Sequence, residues 1–212
     1  VARPRTPILS RAGVTRAALA IIDADGIDGL STRRLAEELG VRAPSLYNHF
    51  TGKDDILDAV ADLVIEDVDI AVFAARPWDE ALRVWARSYR AALVAHPNIV
   101  PFMARGPGLR PSGLRLADAV YGALTEAGWP RSQATRIGAM MRYLVTGSAL
   151  GSFARGFTED AAVYARDYPH LDQAHLLAGH SSAVDDGAFE LGLESMLDSL
   201  VRLYPRVRLT GR

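Results

Sequence analysis

The chain has 212 residues, 49% of them apolar and 23% charged, a balance that describes a core-forming globular protein. It contains no cysteine, which removes disulfides, thiolate zinc sites and cysteine nucleophiles together. Its net charge of −1 hides a division: eight of the 24 Lys and Arg lie in residues 1–53 against five of the 25 Asp and Glu, leaving sixteen against twenty for the rest. A basic end on an acidic body suits a protein that touches a polyanion with one end only. Lys53 is the only lysine in the sequence, so the arginine abundance reads as compositional bias and not as phosphate recognition. No run of about 18 uncharged apolar residues occurs, so no membrane span is expected. The basic start Val1–Arg11 lacks the apolar stretch of a signal peptide, and a cytoplasmic location is expected.

Apolar residues recur with a period of 3.6 from end to end, without sustained alternation, so an all-α chain is expected. Ser10 caps a first helix that buries Val14, Ala18, Ile21 and Ile22 and stops at Asp25-Gly26. Ser31 caps a second, which buries Leu35, Ala36 and Leu39 and stops at Gly40. Pro44 opens a short third helix with Leu46 and Phe50 inward. The fourth is expected from Lys53 towards Ala71, with Leu57, Val60, Val64 and Val68 inside and Asp54, Asp55, Asp58, Asp62, Glu66 and Asp67 outside. Pro77 begins a fifth, carrying Leu82, Trp85, Tyr89 and Leu93 to His96-Pro97. A Gly- and Pro-rich loop at 106–113 precedes a helix over about 114–127. Ser132 caps a long helix towards 152, residues 155–186 read as a loop with room for a short helix, and a last helix covers about 187–204. The domain division falls at the fourth helix without a flexible linker. An N-terminal arm and three-helix domain is expected over residues 1–52, and a larger helical domain over 53–212.

The informative segment is Thr32 to Phe50, TRRLAEELGVRAPSLYNHF. Ala36 is small where two helices cross, Gly40 permits a left-handed turn, and Leu35, Leu39, Val41 and Leu46 share a core. Arg42, Ala43, Pro44, Ser45, Tyr47, Asn48 and His49 are left on the outer face of the second helix of the pair. In a helix-turn-helix this face enters the major groove. An ordinary αα-hairpin would have the same skeleton. The outward mixture of Tyr, Asn, His and Ser, and a third helix too short to add core volume, favour the DNA-binding reading.

The run from about Thr15 to Val60 resembles the DNA-binding domain of the tetracycline repressor family. The resemblance lies in Ala17-Ala18-Leu19, Gly26 through Arg33, Leu35-Ala36, Leu39-Gly40-Val41, Ala43 through Tyr47, His49-Phe50, Lys53 and Leu57. Asp185-Asp186 and Phe189 through Ser195 extend it, less closely, to the family's C-terminal domain. It implies that Thr32 and Arg33 meet a phosphate and a base edge, with Arg33 long enough for a guanine. It also implies that Ala43, Pro44 and Ser45 approach thymine methyls, and that Tyr47, His49 and Lys53 hold phosphates. Ala43 and Asn48 depart from the family's bulkier or more polar side chains and Arg42 adds a charge, so an operator sequence cannot be borrowed.

A single short recognition helix reads few base pairs, so a homodimer on a palindromic double-stranded operator is expected. The resemblance implies that the helices near 132–152 and 187–204 pair with their mates, where Gly138, Gly147, Ser148, Ala149 and Gly151 would permit close approach. Trp85, Tyr89, Phe102, Met103, Leu116, Val120, Met140, Met141 and Leu144 are the candidate lining of an apolar, adaptable effector pocket. Tetracycline-sensing members hold a magnesium-bound drug through histidines. The corresponding region here offers Asp69 and Met103, which argues for a larger, mostly apolar small molecule instead. Opening of that pocket is expected to move the fourth helix and release the operator. A member of the fold that binds DNA without ligand, or with a protein partner, is the alternative.

An enzyme is not expected. His170, His175 and His180 are five apart and scatter around a helix, Gly147 to Gly151 lacks the context of a nucleophile elbow, and no phosphate loop or dinucleotide fingerprint occurs. No metal or cofactor is called for.

Overall fold

The computed structural model describes residues 9–106 and 108–210, and among them all regular structure is helical. The chain divides into two units. The first takes residues up to Asp67 together with Ala95–Arg115, and the second takes Val68–Val94 and Leu116 onwards. The boundary expected at 52/53 therefore moves, because the fourth helix and a later stretch join the N-terminal helices.

The N-terminal unit begins with α1 (Arg11–Gly29), whose N-terminus is capped by Ser10 Oγ accepting from Gly13 N at 3.1 Å and whose helical run breaks at Gly26. Then come α2 (Thr32–Glu38), α3 (Ala43–Leu46) and α4 (Lys53–Val64). Their inward faces make one core: Val14, Ala18, Ile22, Leu35, Leu46, Phe50, Ile56 and Val60 are each almost fully buried. The expected continuation of α4 to Ala71 does not form. Glu66 and Asp67 follow directly, no basic residue lies in its last turn, and carboxylates at that end oppose the helix dipole. Asp69 instead lies ahead of the next short helix, α5 (Val72–Ala75), whose N-cap is Ala71, and accepts from its first amide, Val72 N, at 3.3 Å.

Residues 95–115 complete this unit with a 3-10 turn at Pro97–Ile99, α7 (Val100–Met103) and the first turn of α8 (Pro111–Glu126). Asn98 Nδ2 donates to the carbonyls of Ile22 and Asp23, and His96 Nδ1 lies 2.9 Å from Asp23, fastening the stretch to the end of α1. The acidic face of α4 fastens it a second time. Arg110, almost wholly buried, sets Nη1 3.0 Å from Asp58, and Asp62 accepts the Ser112 amide at 2.6 Å. That carboxylate caps α8, which is why α8 starts at Pro111 and not near 114.

The C-terminal unit contains α5, α6 (Trp78–Ala95, all but its last residue), the body of α8, α9 (Arg131–Gly147), α10 (Ala162–Ala165) and α11 (Ser181–Thr210). Ser132 does not cap α9, whose N-cap is Pro130. That helix stops at Gly147, short of 152, where Ser148 Oγ takes the Val145 carbonyl at 2.9 Å. The last helix starts six residues earlier than expected and runs through Pro205. Trp78, Trp129 and Tyr204 cluster with centroids 5.2 to 5.4 Å apart, the two indoles edge-to-face and the phenol ring tilted against both. Gly138, expected at a contact with a partner chain, packs closely within this one as well: a Cβ there would overlap Cε1 of Tyr121 on α8.

A ladder of ion pairs joins α6 to α11. Arg83 meets Glu194 at 2.9 Å, Arg87 meets Glu190 at 2.6 Å and Glu194 at 3.0 Å, and Arg90 meets Asp186 at 2.7 Å. Rising numbers on one helix pair with falling numbers on the other, so the two run antiparallel. Hydrogen bonds from Arg87 and Arg83 hold the Glu190 and Glu194 carboxyls below their ordinary range near 4.5. Such groups stabilise the fold above their unfolded pKa and lose that contribution as pH falls through the lowered value. Both carboxylates are about two-fifths exposed, at 43% and 41%, so water screens each pair to roughly 1 kcal/mol or less. The double variant Glu190→Gln/Glu194→Gln should melt a few degrees below the parent at pH 7. That difference should shrink progressively below pH 4.5, as followed by circular dichroism.

Candidate nucleic-acid interface

The turn between α2 and α3 is built by backbone hydrogen bonds. Ser31 Oγ accepts from Arg34 N at 3.1 Å and starts α2. At its end Gly40 N donates to the Glu37 carbonyl at 3.1 Å and Val41 N to the Ala36 carbonyl at 2.9 Å. This is the paired closure of a Schellman turn, and it requires the left-handed φ of +64° found at Gly40. Arg42 follows in extended conformation and Pro44 sits in the first turn of α3, where its missing N–H costs nothing.

Leu46 and Phe50 point into the core, which fixes what α3 presents outward. Arg42, Pro44 and Asn48 are exposed, Tyr47 is 58% exposed, and Ala43, Ser45 and His49 are half-buried. Thr32 is half-buried at the start of α2. Arg33 beside it pairs with Glu37 at 3.0 Å, with 89% of the arginine side chain open to solvent. So exposed an i,i+4 pair contributes little and is readily exchanged for a nucleic-acid contact. Lys53 is placed differently. Its Nζ donates to the Ile27 carbonyl at 2.9 Å, fastening the start of α4 to the end of α1.

Arg11 was not among the expected residues. Its guanidinium lies 4.1 Å from the centre of the Phe50 ring, donates to the His49 carbonyl, and meets Asp55 Oδ1 at 2.7 Å. Asp55 also accepts the Thr51 amide at 2.9 Å. The available signal was an arginine in a helix's first turn, where the dipole gives it no advantage.

The expected effector residues separate between the units. Trp85, Tyr89, Leu116, Val120 and Met141 are buried in the C-terminal unit and Met140 and Leu144 half-buried there, whereas Phe102 and Met103 belong to the N-terminal unit. Trp85 stacks on Tyr89 and Phe73, with centroids 5.7 and 6.2 Å away. Trp85 Nε1 and Thr146 Oγ1 are buried without a hydrogen-bond partner. A separate groove of about 690 Å³ opens in the N-terminal unit beside Arg16, Asp58, Asp62, Glu66 and Arg115, and none of the expected effector residues lines it.

Comparison with known proteins gives two family matches: bacterial regulatory proteins of the tetR family over residues 14–60, and the tetracyclin repressor-like C-terminal domain over 75–204. An HTH-type transcriptional regulator of Saccharopolyspora erythraea is 33% identical over 142 residues, 67% of this chain and 60% of the relative. The chain thus spans less than two thirds of that relative's length. The class A tetracycline repressor protein from transposon 1721 of Escherichia coli is 34% identical over 89% of both chains. Among solved structures, the Streptomyces coelicolor TetR family protein ActR in complex with actinorhodin superposes with a TM-score of 0.71 at 30% identity, covering 92% of this chain and 97% of that one.

Because Gly40 occupies the left-handed region, any Cβ there is strained. Gly40→Val should cost about 1–2 kcal/mol and lower the melting temperature by roughly 2–4 °C per kcal/mol, as read by calorimetry.

Proposed function

Because the chain belongs to the tetracycline repressor family, a family of transcriptional regulators and not enzymes, we propose that it is a ligand-responsive repressor. It binds a palindromic operator as a homodimer in the cytoplasm and is released by a small, mostly apolar molecule. The observation that carries the DNA-binding half is the surface at α3 and its two ends, where Arg42, Pro44, Tyr47 and Asn48 are exposed and Ser45 is half-buried above the anchors Leu46 and Phe50. Thr32, Arg33, Ala43 and His49 flank that face and are proposed to share in the contact. Lys53, turned to the Ile27 carbonyl, acts on phosphate only after exchanging that bond or through a remaining N–H.

Energetics support the dimer. Specific binding exceeds non-specific binding by about 4–10 kcal/mol, more than one four-residue helix supplies, and two helices related by a dyad read half-sites about 34–36 Å apart. Tyr143 on α9 and Leu191 on α11 are each 72% exposed, apolar surface on the two helices proposed to meet their mates. Effector binding is proposed to change the spacing of the recognition helices, so that they no longer match successive grooves.

The sensor reading is favoured over a ligand-independent factor by the unpaired Trp85 Nε1 and Thr146 Oγ1. Native interiors rarely leave buried polar atoms without partners, and a ligand bearing hydrogen-bond acceptors would satisfy them. Magnesium–tetracycline is a poor fit. The Asp69 carboxylate accepts the Val72 amide, and Met103 is a buried thioether. No helix of the described residues is long and apolar enough to cross a membrane.

Fluorescence anisotropy on duplex DNA from upstream of the protein's own gene, at two salt concentrations, tests the reading. Tight, salt-sensitive binding should weaken at least about tenfold in Tyr47→Ala, and equal affinity for operator and random DNA would overturn the proposal. Calorimetric titration with tetracycline and magnesium should give no appreciable heat; strong heat would overturn the assignment of effector class.

A further inference from the structure

We infer that Arg11 and Asp55 form a clamp that sets the recognition helix against DNA, so that both residues determine operator specificity without touching a base or a phosphate. The inference rests on the DNA-binding reading above and adds positioning residues to it.

Because α3 has only four residues, its pose depends on what holds its ends. The N-terminal end is held by the Gly40 turn. At the other end the chain leaves through Tyr47, Asn48 and His49, the residues proposed to meet phosphate, before Phe50 enters the core. One guanidinium controls that exit: Arg11 donates to the His49 carbonyl and covers the Phe50 ring at 4.1 Å. Asp55 orients the guanidinium from behind, its Oδ1 2.7 Å away, while its Oδ2 accepts the Thr51 amide at 2.9 Å and the Thr51 hydroxyl at 3.3 Å. The pair therefore grips His49, Phe50 and Thr51 in succession and ties them to the first turns of α1 and α4.

The geometry demands arginine. Its planar fork donates in two directions while its face stacks on a ring, and lysine's single ammonium cannot do all three. Asp55 remains ionised, since Arg11 first and the Thr51 amide second hold its carboxyl below the usual range. Its side chain is 26% exposed, so this pair is less open to solvent than that of Arg33 and Glu37.

The sign of the Asp55 effect separates a clamp from simple electrostatics. Removing a carboxylate from a DNA-binding unit strengthens DNA binding if charge alone matters; removing half of a clamp weakens it. Four proteins are compared: the parent, Arg11→Lys, Arg11→Gln and Asp55→Ala. Each is measured on an operator selected by the parent from a random-sequence library, and on random DNA, across a salt series. The clamp predicts a tenfold or greater loss on operator for all three variants. It also predicts random-DNA affinity within about twofold of the parent for Arg11→Lys, and an unchanged salt slope for Arg11→Gln. A direct phosphate contact would instead lower that slope by about 0.9 and leave Arg11→Lys close to the parent. Either that pattern or tighter operator binding by Asp55→Ala would overturn the inference.

A second arm needs no DNA. Amide hydrogen exchange in the free protein should accelerate at residues 47–51 in Arg11→Lys while the buried amides of α1 and α4 keep their protection. Unchanged exchange at 47–51 would overturn the clamp itself, and faster exchange with operator specificity intact would overturn its role in recognition. If the parent selects no operator, the DNA-binding reading fails and the role in recognition with it, while the exchange arm still reports on the clamp.

Discussion

A helix of four residues cannot hold its own shape, and the architecture of the N-terminal unit follows from that. Closing a first helical turn fixes several dihedral angles for a single hydrogen bond, so an isolated Ala43–Leu46 segment would not persist in water. Its conformation and direction are supplied from outside. The Gly40 turn delivers the chain at a set angle, Leu46 and Phe50 anchor it from beneath, and Arg11 holds its exit. These supports come from α1, α2 and α4, so three longer helices are needed to present one short one. The proposed reading surface can consist largely of outward side chains because the helix that carries them is held by Leu46, Phe50 and Arg11.

The C-terminal unit solves the opposite problem. Its main helices, α6, α8, α9 and α11, run for 16 to 30 residues and persist with ordinary packing, so what must be specified is their order and register. The ladder from Arg83, Arg87 and Arg90 to Glu194, Glu190 and Asp186 joins α6 to α11 in the antiparallel sense, while apolar packing must choose the register, since a slide of one turn would bring Arg83 to Glu190 and Arg87 to Asp186. Gly138 under the Tyr121 ring brings α9 close to α8. Inside this unit Trp85 Nε1, Trp129 Nε1 and Thr146 Oγ1 are buried without a hydrogen-bond partner, which native interiors rarely allow, and the proposed effector would find the first and last of them among the candidate lining.

Much of this was legible in the sequence wherever the cause is local. Ser10, Ser31 and Gly40 act on residues three to five away, and Leu35, Leu46 and Phe50 follow the helical period, so the helix-turn-helix could be drawn from the residues alone. What could not be read depends on partners distant along the chain. Asp62 looked like one more carboxylate on a solvated face, yet it caps α8 through an amide 50 positions away. Ser132 looked like a cap and is not one. Arg11 carries no local pattern that points to His49, 38 residues on. Trp85, Tyr89 and Met141 are buried as their period requires, but core and cavity lining share that period, and Phe102 and Met103 fall in the other unit altogether.

The charges of the N-terminal unit show the same sorting by partner and not by type. Asp55, Asp58 and Asp62 lie on a helix beside the proposed DNA-binding surface, where unpaired carboxylates would repel phosphates within a Debye length of about 8 Å. Arg11 and Arg110 meet Asp55 and Asp58 as counter-charges, whereas Asp62 accepts the neutral Ser112 amide and keeps its charge. Arg110 is buried in its pair and Lys53 is held on the Ile27 carbonyl, whereas Arg11, though paired, keeps about half of its side chain exposed, at 52%. Arg33 and Arg42 stay exposed, on the two helices that lead to and carry the reading face. In a chain with 24 Lys and Arg, function is therefore not marked by where positive charge is abundant. Exposure alone does not mark it either, since Arg16 and Arg105 are exposed as well; what sets Arg33 and Arg42 apart is their place beside α3, in the proposed contact.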